Sequence, residues 1–159
     1  MKTYIIEDRQ RLESIILRCG TCFVGITDLK GNPYVIPMSF GYADGVLYLH
    51  SGPDGSKLEM LERNPNVCIT FSTGQELIYQ HAKVACSYSM RSESVMCRGQ
   101  VEFIEEIEEK RKALDVTMHH YTDNEFGYSE PALRNVKVWQ VKVDQMTGKI
   151  FGLRAHEKP

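Results

Sequence analysis

The residues best suited to chemistry lie where a glycine-bearing loop runs into a predicted helix, at Gly55-Ser56-Lys57. A helix N-terminus offers free backbone N–H groups and the positive end of the helix dipole, and glycines let an anion approach the backbone closely. Lys57 in the first helical turn opposes that dipole, which indicates that its ammonium group has another partner. The functional interpretation is a phosphate site, but this short motif alone favours a solvated surface lysine after an ordinary loop.

A β-hairpin before this loop and a short helix after it would position these residues. Alternating side chains predict one strand over Tyr34–Tyr42 and another over Val46–Ser51, joined by a turn at Ala43-Asp44-Gly45. The S-x-x-E spacing that begins at Ser56 predicts a capping box, and hence a helix that starts there. That helix ends at Asn64-Pro65, because the residue before proline avoids the α region.

The rest of the chain is predicted to form short strands and two longer helices. The predicted elements are an amphipathic helix over Glu7–Cys19, strands over Thr21–Asp28, Val67–Ser72 and Val136–Val143, a β-type region over Val84–Ile104 with a break near Met90–Glu93, and a helix over Glu105–Tyr121. Glu76–Tyr79 could continue an edge strand, and one helical turn could follow Pro131. This pattern predicts a closed antiparallel barrel, and it lacks the strand–helix alternation of a dinucleotide-binding fold.

Composition and charge predict the domain number and exclude some classes of partner. The 159 residues are 42% hydrophobic and 25% charged, which predicts a single globular domain over residues 1–159, with a polar tail from about residue 155 that we expect to be disordered. A net charge of −2 predicts no nucleic-acid partner, and no apolar run approaches the length of a membrane span. The charged N-terminal segment does not resemble a signal peptide, so we expect a cytoplasmic protein.

Five cysteines in such a chain are expected to be reduced. Cys19 and Cys22 form a C-x-x-C pair, but the pair falls where a helix ends, whereas a reactive cysteine lies at a helix N-terminus. No second pair completes a zinc site. The spacing therefore indicates a structural coincidence rather than a redox or metal site.

Several blocks, in order, resemble the FMN-binding split-barrel family, which includes pyridoxamine 5′-phosphate oxidases and nitroimidazole-resistance reductases. The blocks are Val35-Ile36-Pro37-Met38-Ser39-Phe40, Leu47-Tyr48-Leu49-His50-Ser51, Gly55-Ser56-Lys57, Leu61-Glu62-Arg63-Asn64-Pro65-Asn66-Val67, Ser94-Val95 and Gly99-Gln100-Val101-Glu102. The nitroimidazole-resistance branch is the most similar. The resemblance implies a mainly β (α+β) fold, a small antiparallel split β-barrel with flanking helices, which binds FMN, or alternatively FAD, at the interface of a homodimer.

By this resemblance, the cofactor-binding residues are Pro37, Met38, Ser39, Phe40, His50, Ser51, Ser56, Lys57, Arg91, Ser92, Ser94 and Val95, and no residue is assigned to a metal. The segment from Pro37 to Phe40 would follow the edge of the flavin ring, with hydrogen bonds from the backbone of Met38 and Ser39. His50, the one catalytic candidate, and Ser51 would lie beside the ribityl chain or the ring.

By the same resemblance, Lys57 would hold the phosphate, and Arg91, Ser92 and Ser94 would contribute from the later strand. The family often has an aromatic and then a basic residue before this serine, whereas here Glu93 precedes it. Because a carboxylate near a phosphate is unfavourable, we expect Glu93 to point elsewhere on the pleat. Arg91 would then supply the missing charge.

Each candidate also has a structural interpretation. Ser39 and Arg91 could be solvated, Met38 could fill the core, His50 could be a satisfied barrel histidine, His119 and His120 could stabilise a helix dipole, and Trp139 could be a core residue rather than a flavin cover.

The resemblance implies a flavin-dependent reductase of a small planar acceptor, with nitroaromatics as a plausible class. Two alternatives stay open: a flavin carrier or sensor without turnover, and a haem-binding protein on the same fold that uses His50 or the pair His119 and His120. A pyridoxamine-phosphate oxidase is a weaker variant, because no second basic cluster is evident for a substrate phosphate.

Overall fold

A computed structural model of the chain describes residues 2–153, where it holds nine strands and four α-helices. The strands are β1 (Lys2–Ile6), β2 (Cys22–Thr27), β3 (Pro33–Met38), β4 (Gly41–Ala43), β5 (Val46–Ser51), β6 (Asn66–Tyr79), β7 (Tyr88–Ile104), β8 (Lys137–Lys142) and β9 (Gln145–Leu153). The helices are α1 (Arg9–Leu17), α2 (Ser56–Arg63), α3 (Ile107–His119) and α4 (Glu130–Asn135), with a 3-10 turn at Ala85–Ser87. The predicted disordered tail from residue 155 lies outside the described residues.

All strand pairs are antiparallel, in the order β3-β2-β6-β7-β8-β5-β4, with β9 between β7 and β1. The long strand β7 pairs with β6 along one edge, and its other edge pairs first with β9 and then with β8. Gly99 marks the change of partner, since a Cβ there would lie 2.3 Å from the carbonyl oxygen of Lys142. The mainly β, split-barrel class is confirmed.

The prediction of a closed barrel is wrong. The strand order ends at β3 and β4, and within residues 2–153 no ladder joins those two strands. The predicted strand Tyr34–Tyr42 is broken at Ser39-Phe40, called here the bend, where pairing with β2 ends and pairing with β5 begins. Helix α3 packs against the start of β4 at this point. A cleft, rather than a continuous wall, therefore lies beside β3.

The core lies between the inner face of the sheet and helix α1, which buries Leu12, Ile15 and Ile16. Phe40 and Phe71 meet edge to face within it, with ring centroids 4.9 Å apart. Burying side chains of this size contributes about 1.5–3 kcal/mol each, so the core supplies the main driving force for the fold. A smaller apolar cluster lies between α3, α4 and β8.

Of the two predictions about local turns and caps, the hairpin turn is right and the capping box is wrong. The hairpin turn between β4 and β5 is confirmed: Asp44 and Gly45 both have positive φ, 49° and 80°, as a type I′ turn requires. Helix α2 does begin at Ser56, but the predicted capping box is wrong. Gly55 occupies the N-cap position and no side chain caps the helix.

Two stretches are more regular than predicted. Strand β7 runs unbroken through Met90–Glu93, because β6 pairs with it on one side and β9 takes up the other edge from Ser92. The irregularity lies instead in β6 at Thr73–Glu76, where Gly74 has a φ of +68°. Glu76–Tyr79 does continue this strand, while β1 and β9 were not predicted at all.

Candidate functional site

A cleft of about 420 Å³ lies between β3, β5 and the start of α2, and is called here the β3–β5 cleft. Its lining residues are Tyr34, Ile36, Pro37, Met38, Ser39, His50, Ser51, Gly55, Ser56 and Lys57. The predicted site residues of the central segment, other than Phe40, thus share one cleft. Tyr34 and Ile36 were not predicted as site residues, although they alternate with Met38 and so share its strand face.

The loop before α2 forms one wall of this cleft. Gly55 has a φ of +135°, a conformation that side chains disfavour, and no atom of the described residues lies within 4 Å of where its Cβ would be. The first N–H groups of a helix have no partner within the helix, so the N-terminus of α2 offers free donors to this wall. Lys57 is half-buried, and within residues 2–153 it makes no ion pair or side-chain hydrogen bond.

His50 lies on β5, opposite Val138 of β8. Its side chain is half-buried, and its Nδ1 atom is buried without a hydrogen-bond partner in the described part of the chain. Burial lowers the pKa of this imidazole below its ordinary value of 6.5, so the ring is neutral at pH 7. A neutral imidazole carries one N–H donor and one acceptor nitrogen.

The bend between β3 and β4 forms another wall. Ser39 is exposed and lines the cleft, whereas the side chain of Phe40 is fully buried in the core and does not line it. The backbone N–H of Phe40 donates a 3.0 Å hydrogen bond to the Tyr121 hydroxyl, which itself donates to the carbonyl oxygen of Gly20 at 3.1 Å. Tyr121 was not predicted as a site residue, and no local pattern marks it.

The remaining predicted residues lie on β7 and are not brought into the cleft. Val95 is a core residue with 1% of its surface exposed. Arg91 forms an ion pair with Glu76 at 3.5 Å, and Ser92 lines a separate depression beside β1 and β9. Arg91, Ser92 and Ser94 are called here the β7 group; Ser94 is half-buried and pairs across the sheet with Ser72 and Lys149.

Glu93 lies within the β7 group in sequence, but its carboxylate points to α1. There it forms ion pairs with Arg11, at 3.5 Å, and with Arg18. The expectation that Glu93 points away from its serine neighbours therefore holds in the geometry.

The other chemically capable residues of the described chain do not line the β3–β5 cleft. Cys19 and Cys22 are free and buried, and burial raises the pKa of the Cys22 thiol to about 12. His119 and His120 each bond a backbone carbonyl, of Asp115 at 2.8 Å and Cys19 at 2.7 Å. Trp139 is a fully buried core residue. Across residues 2–153, no group of three or more potential ligands could hold a metal ion.

The family model described as pyridoxamine 5′-phosphate oxidase matches residues 8–150. The chain belongs to this family. A solved structure of a candidate 5-nitroimidazole antibiotic resistance protein from Bacteroides thetaiotaomicron VPI-5482 is 70% identical to it, covering 98% of this chain and 92% of that one with a TM-score of 0.88. The predicted resemblance to the family and to its nitroimidazole-resistance branch is confirmed.

Two solved structures of low sequence identity share the fold. The flavocytochrome Anf3 from Azotobacter vinelandii is 19% identical with a TM-score of 0.82, over 97% of this chain and 72% of that one. The FAD and haem binding protein from Mycobacterium smegmatis is 18% identical with a TM-score of 0.83, over 96% and 76%. No curated protein matches the sequence. Of the helices within residues 2–153, none combines the length and apolar character needed to cross a membrane.

Proposed function

We propose that the β3–β5 cleft binds a flavin, FMN rather than FAD, and that the protein is a flavin-dependent reductase of small planar acceptors. One observation carries this proposal: a half-buried lysine without a partner in the described range, the N-terminus of α2 and a neutral histidine line one cleft. Membership of the pyridoxamine 5′-phosphate oxidase family supports an oxidoreductase. The name of the 70% identical neighbour supports nitroaromatic acceptors.

The residues present fit such a cofactor. The volume of about 420 Å³ falls within the range of about 300–1,000 Å³ that is usual for small-molecule sites. Lys57 and the N–H groups of α2 suit a phosphate, because a full charge and free donors converge there. The backbone at Met38 and Ser39 suits the polar edge of the ring, and Ile36 offers apolar cover.

A bound flavin would supply the transfer of hydride or electrons, and the protein would supply position and protons. Because its Nδ1 atom is buried, the neutral ring of His50 would make one hydrogen bond to a bound molecule, through Nε2. Because burial keeps the ring neutral at pH 7, His50 does not compete with Lys57 for the phosphate charge. Ser39 and Ser51 add hydroxyl groups that orient the bound molecules.

We assign the β7 group to the cleft of a second copy of the chain. On the N-terminal side of Ser92, β7 pairs only with β6 among residues 2–153, and this two-stranded arm exposes Leu77, Tyr79 and Met90 on one face, at 61%, 49% and 49%. A two-stranded ribbon is marginally stable alone in water, and an apolar face of this kind suits a partner surface. In a homodimer, Arg91 of one copy would approach the cleft of the other.

The first test is an absorption spectrum of the purified protein, followed by titration with FMN and chromatography of any released flavin. Bound FMN that is reduced by a pyridine nucleotide and reoxidised by a nitroimidazole supports the whole proposal. A flavin spectrum without turnover favours a carrier, and a Soret band favours haem on the same fold. Failure to bind any flavin refutes the assignment of the cleft.

The second test concerns the assembly. Sedimentation equilibrium of the wild type is expected to give the mass of a dimer. Leu77→Glu places a charge in the exposed apolar face of the arm and is expected to give monomers with weakened FMN binding. A wild-type monomer that binds FMN normally would refute the shared site.

A further inference from the structure

Just after the end of α3, the hydroxyl group of Tyr121 contacts the backbone between β3 and β4. The Phe40 N–H donates to the Tyr121 hydroxyl at 3.0 Å, and the same hydroxyl donates to the Gly20 carbonyl at 3.1 Å. Phe40 lies between β3 and β4 and belongs to neither ladder, so this phenol takes the place of the acceptor that a neighbouring strand would provide. Three elements therefore meet at one oxygen atom.

Other contacts near this oxygen leave the bend little freedom. The ring of His120 packs on that of Phe40 at a centroid distance of 4.4 Å, and its Nε2 lies 2.7 Å from the Cys19 carbonyl oxygen. One residue after Phe40, a Cβ on Gly41 would lie 2.7 Å from the backbone of Thr117 in α3. On the other side of the bend, the Cys22 thiol donates to the Met38 carbonyl at 3.4 Å.

We propose that Tyr121 is a positioning residue of the β3–β5 cleft, whose hydroxyl fixes the backbone of Ser39 where the ring edge of the cofactor binds. This inference rests on the proposed function, because it needs a flavin in the cleft. Tyr121 is not among the residues that line the cleft, so it acts through the Ser39-Phe40 backbone. Small displacements of groups that position a reactive molecule have large effects, which makes this contact measurable.

The test compares Tyr121→Phe with Tyr42→Phe. Tyr42 is the matched control, because its hydroxyl donates to Glu13 of α1 at 2.9 Å rather than bonding the backbone between β3 and β4. Both variants lose a phenol hydroxyl that bridges two elements, so both are expected to lower the melting temperature. Only Tyr121→Phe is expected to weaken FMN binding, by roughly tenfold, and to shift the absorption maximum of the bound flavin.

A second readout needs no flavin. In the flavin-free protein, the Phe40 amide should exchange with solvent at least about tenfold faster in Tyr121→Phe than in the wild type or in Tyr42→Phe. An unchanged exchange rate, or FMN affinity and spectrum equal to those of the wild type, would overturn the positioning role. Equal losses of FMN affinity in both variants would show a stability effect only and would also overturn it.

These outcomes separate the two proposals. If wild-type protein binds no FMN, the proposed function fails and the role of Tyr121 fails with it. If the wild type binds FMN and Tyr121→Phe binds it equally well, the proposed function stands and only this inference is refuted.

Discussion

Removal of the Lys57 charge tests the phosphate end of the cleft most directly. Lys57→Met keeps the aliphatic stem and deletes the ammonium group. Within residues 2–153, this group has no ion pair to lose, and a cation in the first turn opposes the helix dipole. The stability of the flavin-free variant should therefore equal that of the wild type within about 0.5 kcal/mol, or slightly exceed it.

The effect on binding should be much larger. A hydrogen bond to a charged group contributes about 1.5–3 kcal/mol net. At about 1.4 kcal/mol per factor of ten, FMN should bind roughly 10- to 150-fold more weakly. Riboflavin lacks the phosphate, so its affinity should be the same in Lys57→Met and in the wild type.

The assay is a titration of flavin fluorescence with each protein, with FMN and with riboflavin. Lys112→Met is the matched control, because Lys112 is mostly exposed on α3 and pairs only with Glu109 at 2.7 Å among the described residues. It should leave both affinities unchanged. Equal losses for FMN and riboflavin, or no loss for FMN, would contradict a phosphate contact at Lys57.

Three further outcomes are expected. Gly41→Ala should lower the free energy of unfolding by about 3 kcal/mol in urea titrations, because its Cβ would meet the backbone of α3 at 2.7 Å. In native protein at pH 8, a thiol reagent should modify the exposed Cys86 but neither Cys22 nor Cys97, since burial raises the pKa of both thiols to about 12. The lowered pKa of His50 means that its neutral form favours folding above pH 6.5, so stability should decline as the pH falls below that value, and His50→Gln should reduce this decline.

The sequence predicts the cleft well because its walls are close together in the chain. A hairpin, a loop and a helix start follow one another between Tyr34 and Lys57, and the turn chemistry of Gly45 sets their order in space. Local patterns carry that information. The capping box was wrongly predicted at Ser56 because the Ser-x-x-Glu pattern does not show whether Ser56 is the N-cap or the first residue after a glycine N-cap.

Features decided by distant contacts could not be predicted in this way. Strand β9 contains Gly148, whose backbone passes so close to Leu12 of α1 that a Cβ would lie 2.2 Å from that side chain, and a glycine of this kind weakens the strand signal. The hydroxyl of Tyr121 reaches Gly20 across 101 positions of sequence. No spacing rule connects residues that far apart.

The place of β9 also has a consequence for synthesis of the protein. Among the strands of residues 2–153, this one comes last in sequence, yet it pairs with β1 on one side and β7 on the other. A nascent chain emerging from the ribosome would therefore carry two unpaired strand edges until β9 arrives, and such edges invite association between chains. We expect the insertion of β9 between β1 and β7 to be a late step of folding.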